Sequence, residues 1–201
     1  MRKIVLPGDI IAEKPLRLDH TIVENGKTCS TVIGMYDDEK NSFIPMEGLW
    51  YPVPGEKIVG IVEEAKLNTD VIGLNAPYKG LIISKFSETS VVNGDIIEAV
   101  VKELDKTGTV ILSRPRVLFG GKVIAIKPSK VPRLLGKQDT MIRQITEKTK
   151  ASISVGMNGL IWIKGGDSDI ATKAIMRIQD ESHIPGLTER IAQMLETPSK
   201  E

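Results

Sequence analysis

The 201-residue sequence has one cysteine, Cys29, two histidines, His20 and His183, and only 4% aromatic residues. A lone cysteine excludes an internal disulfide, and with two histidines it cannot supply the four ligands of a structural zinc site. No apolar run approaches the ~18–20 residues of a membrane span. The basic start, Met1-Arg2-Lys3-Ile4-Val5-Leu6-Pro7-Gly8, has an apolar part too short for a signal peptide. The expectation is a cytoplasmic protein with no membrane partner. Frames for catalysis are missing too. A metal-dependent nuclease needs several carboxylates converging on divalent ions. Here acidic residues cluster as Asp37-Asp38-Glu39, in a predicted hairpin turn, and Glu63-Glu64, at a strand end, and neither has a catalytic frame. The histidines fall in unrelated modules, and each reads as an ordinary surface residue rather than as the base of a Ser-His or Cys-His pair. No G-x-x-x-x-G-K-S/T phosphate loop occurs. The sequence therefore reads as non-enzymatic, with no catalytic residue, no metal and no cofactor.

What is present is ordinary in amount and unusual in placement. Hydrophobic residues make up 41% and charged residues 26%, as in soluble globular proteins; with few aromatics, the cores must rest on Ile, Val, Leu and Met. Residues 106–150 hold eleven Lys or Arg against two Asp or Glu, a balance of +9. Since the whole chain carries +1, the other 156 residues sum to −8. Such segregation is the electrostatic footprint of a nucleic-acid surface, against the plainer alternative of a solvated charged face.

Three modules are legible. Residues 1–53 are strand-rich: 21–32 alternates around Asn25-Gly26, which supplies the two positive φ angles of a tight hairpin, and a polar turn at 37–41 separates two further strands. Tyr51-Pro52-Val53-Pro54-Gly55 resists both helix and central strand and marks a boundary. Residues 57–62, 70–74 and 80–84 predict strands, and 94–113 predicts a hairpin whose alternating apolar residues fill a barrel while Asp105–Gly108 turns the chain. This stretch resembles an S1-type domain, a five-stranded OB barrel. Gly120-Gly121 follows. Residues 123–181 then predict strand, short helix, the tight turn Gly136-Lys137-Gln138-Asp139, a helix over 140–149, a strand, the turn Gly156-Met157-Asn158-Gly159, a strand and an amphipathic helix. That β-α-α-β-β-α order resembles a KH domain, in which a G-x-x-G turn clamps the nucleic-acid backbone. Here the last glycine is Asp139. As the residue before a helix, Asp139 is expected to cap it, its carboxylate taking the N–H groups that would otherwise meet phosphate. A last helix, 187–195, carries Leu187, Ile191 and Leu195 on one face, to dock on something; 197–201 reads as a loose tail. The expected fold is multidomain α+β: a β-rich N-terminal module (1–53), an S1-type OB-fold β-barrel (54–117) and a KH-like α/β domain with a C-terminal helix (118–201).

Gly156-Met157-Asn158-Gly159 followed by Leu160-Ile161-Trp162-Ile163 is unusual for KH domains at large. With Val5-Leu6-Pro7-Gly8-Asp9 at the start and Tyr51-Pro52 before Gly55, it resembles the S1-plus-KH cap subunit of the RNA exosome, and the resemblance spans the whole chain. It implies a non-catalytic RNA-binding subunit, three copies of which cap a hexameric ring of RNase PH-type subunits, bind single-stranded RNA and guide its 3′ end into the channel for 3′-5′ degradation or processing. The compact length suits the archaeal version. Partners would be RNA, the ring subunits and, in mixed caps, a zinc-ribbon cap subunit, a type that the single cysteine excludes for this chain. Gly136, Asp139, Gly156, Asn158 and Gly159 are expected to shape the KH-like turns. Candidates for RNA contact are Tyr78, Lys79, Lys85, Arg114, Arg116, Lys122, Lys130, Arg133 and Lys137. The second predicted barrel strand lacks the stacking aromatics of strong RNA binders; Phe86 reads as barrel core, and Trp162 as core rather than a base platform. Two other readings stand beside this one: a free-standing S1/KH transcription or translation factor, which usually carries a second KH domain, and a nuclease acting alone.

Overall fold

The computed structural model describes residues 2–16, 18, 20–38, 41–45, 48–83, 90–105, 107–182, 184 and 186–196. Lys85, Phe86 and the 197–201 tail lie outside the described residues. The chain divides into two compact units, Met1–Leu49 and Trp50–Glu201.

The first unit is built from short strands: β1 (Arg2–Val5), β2 (Ile10–Ala12), β3 (Thr21–Glu24), β4 (Lys27–Ser30), β5 (Gly34–Asp37) and β6 (Ser42–Pro45). They form two antiparallel three-stranded sheets, β1-β5-β6 and β2-β4-β3. The β3–β4 hairpin turns on Asn25 and Gly26 at φ +51° and +77°, the paired left-handed residues its sequence predicts. Val5, Ile11 and Tyr36 form a small core with Leu18 and Phe43. The buried Thr28 hydroxyl accepts from the Leu16 N–H at 2.8 Å and donates to the Lys14 carbonyl at 2.8 Å, pinning the 14–16 loop to β4.

In the second unit β7 (Lys57–Glu64), β8 (Thr69–Gly73), β9 (Lys79–Ile83), β10 (Ile96–Leu104) and β11 (Thr109–Val117) close into a barrel in the order β7-β8-β9-β11-β10. Only the β9–β11 pair is parallel. This is the OB topology expected. Alternate residues point inward, so Ile58, Ile72, Ile82, Ile97, Val101, Val110 and Leu112 fill the interior. A Cβ on Gly60 would lie 2.4 Å from the Ile72 methyl, so only glycine lets β7 coil across β8 here. Trp50 packs on this barrel and donates its Nε1–H to Glu56 at 3.0 Å.

The rest of the unit is KH-type: β12 (Lys122–Ala125), α1 (Val131–Leu135), α2 (Thr140–Thr149), β13 (Ser152–Val155), β14 (Leu160–Lys164), α3 (Ser168–Glu181) and α4 (Leu187–Glu196). The sheet order is β12-β14-β13. Val131, Leu134, Ile145, Ile161, Ile163, Ile175 and Ile178 form the core between sheet and helices. Leu187 and Ile191 of α4 are fully buried in that same core. The apolar face of α4 thus docks on its own domain rather than waiting for a partner. Glu181 reinforces the turn into α4, accepting from Arg177 at 2.7 Å and Arg190 at 2.8 Å.

Barrel and KH-type domain share an apolar seam. Trp162 is buried there with Val59, Leu118 and Leu160, and its Nε1–H donates to the Gly120 carbonyl at 2.6 Å. Asn158 completes the seam. It is fully buried, and its Nδ2 donates to the carbonyls of Val59 at 2.7 Å and Leu74 at 2.8 Å while its Oδ1 accepts from the Val59 N–H at 3.3 Å. The β7–β8 ladder ends at the pair Ile61–Gly73; just beyond it, the Asn158 amide stands in for a missing backbone peptide. A Cβ on Gly156 would lie 2.3 Å from Asn158 Oδ1 and 2.5 Å from Val59 N, so glycine is needed for the two to meet. Asn158→Ala leaves one N–H and two carbonyls of the barrel buried without partners, each costing about 1–3 kcal/mol. It should destabilise the chain by about 3 kcal/mol or more in urea unfolding, and Asn158→Asp, which turns the donor into an acceptor, should not rescue it.

Candidate nucleic-acid interface

The cations of the basic segment do not all face solvent unengaged. Glu98, on β10 and partly buried, accepts from Arg116 at 3.1 Å, pairs with Lys57 at 3.3 Å and accepts from the Ser154 hydroxyl of β13. Arg116 is therefore committed to a tie that runs from barrel to KH-type domain. Lys122, at the start of β12, is held by Asp169 at 2.7 Å, and Lys79, at the start of β9, lies 3.4 Å from Glu63. Arg114, Arg133 and Lys137 are exposed and have no ion pair among the described residues. Lys130 closes a 3₁₀ turn, Pro128–Lys130, and is half-buried.

Arg114 has a particular setting. The β10–β11 register steps from Glu98–Arg116 to Val100–Ser113, so two residues of β11, Arg114 and Pro115, oppose Ala99 alone. Arg114 sits in this bulge at φ +53°, a left-handed conformation that a following proline disfavours. Bulges of this kind re-aim a side chain out of the ladder. Lys79 lies at the other end of the β9–β11 pair, opposite Thr109, so Lys79 and Arg114 are separated along the strand by about 16 Å at 3.3 Å per residue. Tyr78 is half-buried against the barrel end, edge-to-face with Trp50 at 6.4 Å and with Tyr51 at 6.1 Å. The sequence-derived set is thus dispersed over the barrel end, the bulge and the α1–α2 edge rather than gathered at one point.

The two turns differ from expectation in opposite ways. Gly136 takes φ +73°, and Gln138 and Asp139 are both left-handed at φ +54° and +60°. Asp139 holds the N-cap position of α2, yet its carboxylate accepts no hydrogen bond from the helix. The expected cap is absent because capping needs an extended residue, and a left-handed one aims its side chain elsewhere. The start of α2 is therefore not occupied by the protein's own anion; Asp139 is an exposed charge beside it. At the second turn, Gly159 at φ +84° lets the Ile126 carbonyl approach, and Met157 N–H donates to the Lys57 carbonyl at 2.9 Å. This turn was expected to join two strands; it also carries the barrel contact, which spacing alone could not show. Glu98 and Ser154 were likewise missed, since their 56-residue separation leaves no local pattern.

Among the described residues no three His, Cys, Asp or Glu gather as a metal site, and no helix is long and apolar enough to cross a membrane. A closed five-stranded OB barrel followed by a KH-type domain defines a modular OB/KH protein. A family model for the KH domain matches residues 121–169. The chain is 34% identical to the exosome complex component Rrp4 of Pyrococcus abyssi, across 96% of this chain and 82% of that protein. It is 33% identical to Rrp4 of Saccharolobus solfataricus, across 97% and 88%. A crystal structure described as a "putative exosome complex RNA-binding protein" superposes with a TM-score of 0.66 at 27% identity, covering 74% of this chain and 96% of that one. The chain belongs to the Rrp4 family of exosome components.

Burial pushes the Glu98 carboxyl up, but the Ser154 hydroxyl, Lys57 and Arg116 outweigh it and hold the group below its ordinary value. A carboxylate depressed in the folded state stabilises it at neutral pH, and that stabilisation is lost as pH falls from the unfolded value of about 4.3 through the folded one. Glu98→Gln should lower stability at pH 7 and flatten the acid side of the stability–pH curve in denaturant titrations below pH ~4.5.

Proposed function

We propose that this chain is a non-catalytic, RNA-binding subunit of a cytoplasmic exosome, three copies of which cap an RNase PH-type ring and lead the 3′ end of single-stranded RNA into its channel. The observation that carries the reading is membership of the Rrp4 family, the likeness spanning 96% of the chain. Residues 1–53 are the ring-docking part, 54–117 the S1-type RNA-binding barrel and 118–201 the KH-like domain. Docking through the first is supported by exposed Ile22 and Val23 on the edge strand β3, where apolar side chains and unpaired backbone suit addition to a neighbour. RNA contact through the second and third is supported by the uncommitted cations Arg114, Arg133 and Lys137; Tyr78, Lys79, Lys85, Arg116, Lys122 and Lys130 complete the set proposed from the sequence. With few stacking aromatics, binding should be weakly selective and steeply salt-dependent.

Purified from its own cells under native conditions, the chain should run with the mass of a ring plus caps, and Ile22→Lys with Val23→Lys should release it as a folded free protein. The free chain should yield no nucleoside diphosphates from RNA and phosphate; activity that survives removal of ring subunits would refute the non-catalytic reading.

Arg114 and Arg116 should separate in fluorescence-anisotropy titrations of single-stranded RNA. Arg114→Ala should reduce the log–log salt slope by a little under one unit. Arg116→Ala should leave the slope nearly unchanged and instead lower stability, because Glu98 loses a partner.

A further inference from the structure

Phe119 is a strongly exposed aromatic with no part in the core or in the contacts described above. Its side chain is 71% exposed in a chain with three phenylalanines, and a freely solvated ring gains nothing in folding. The segment that carries it is nevertheless fixed on both sides. Leu118 is buried in the seam and its N–H donates to the Ile96 carbonyl at 2.8 Å. The Gly120 carbonyl takes the Trp162 indole N–H at 2.6 Å. Gly121 passes so close to β14 that a Cβ there would lie 2.4 Å from the Ile163 carbonyl. Phe119 is thus held out to solvent by an anchored backbone, so that binding to it orders little more than the ring itself.

Its surroundings are cationic. Phe119 lies within the +9 segment, and the Lys164 ammonium sits against the same loop, 3.8 Å from where a Gly120 Cβ would be. Lys164 is exposed and has no carboxylate partner among the described residues. An apolar protein partner would leave that ammonium to be desolvated without compensation. A nucleotide satisfies both groups: a base has a face for the ring and its phosphate a charge for the lysine. We infer that Phe119 is a stacking platform for one base of single-stranded RNA, with Lys164 meeting the adjoining phosphate. The inference rests on the RNA-binding reading above and adds a base contact on the seam, away from the barrel strands that lack one.

The test compares the intact chain with Phe119→Ala, Phe119→Trp and Lys164→Gln, each checked for unchanged thermal unfolding, against single-stranded RNA and a ribose-phosphate strand of equal length without bases. Phe119→Ala should weaken binding of RNA roughly five- to a hundredfold and leave the baseless strand unaffected. Phe119→Trp should retain affinity, with indole fluorescence quenched on RNA addition. Lys164→Gln should cut the salt slope by a little under one unit for both strands. Wild-type affinity for RNA in Phe119→Ala overturns the inference while RNA binding stands; loss of ring co-elution with that affinity intact assigns the ring to a protein contact and overturns it too. A wild-type chain that binds neither strand refutes the RNA-binding reading itself.

Discussion

The side-chain amide of Asn158 needs two acceptors and a donor, and in a fully buried position water supplies none of them. The barrel supplies all three, from Val59 and Leu74. Much of the second unit is arranged around that exchange. Gly156 carries no side chain because one would collide with the amide, Gly159 turns left-handed to bring β14 back, and Met157 adds a backbone bond to Lys57. Trp162 then covers the seam and ties it to Gly120, so the glycine pair after the barrel is a packed corner, not a loose hinge.

That constraint changes what the charges mean. A balance of +9 over residues 106–150 describes a potential, but the seam spends part of it internally. Arg116 and Lys57 neutralise a partly buried Glu98, which itself receives Ser154 from the KH-type sheet. Solvent-facing charge in that segment includes Arg114, re-aimed by a bulge at the cost of a left-handed residue before proline, Arg133 on α1, Lys137 in the turn after it, and Arg143 on α2. A group of Lys and Arg close in sequence is thus divided by the fold into structural ties and solvent-facing charge. Under the RNA-binding reading proposed above, phosphate contacts of this scattered kind would position a strand without reading its sequence.

The first turn of the KH-type domain is the least settled by family pattern. A glycine-rich clamp works because backbone N–H groups at a helix start are bare. Here Asp139 replaces the last glycine and takes the left-handed conformation that glycine would have taken. Its carboxylate does not cap α2, so geometry leaves the helix start available while the local charge discourages an anion. The second turn, by contrast, both closes the β13–β14 hairpin and holds the barrel.

By itself the sequence determined the elements and their order. Alternation of apolar residues marked the barrel strands, period-3.6 spacing marked α2 and α3, Asn25-Gly26 marked a hairpin, and the Gly156–Gly159 turn with Trp162 marked the family. These are local signals, set by backbone geometry and by which face of an element must leave water. Only the tertiary structure decided where those faces and polar groups go. Asn158 meets Val59 across 99 residues, the α4 stripe closes on its own core, Arg114 and Arg116 part company two residues apart, and Phe119 is left in solvent between two anchored neighbours. None of this is periodic. A hydrogen-bond partner, an ion pair or an exposed ring is fixed by what the rest of the chain brings alongside, and that depends on packing between segments whose sequences carry no record of each other.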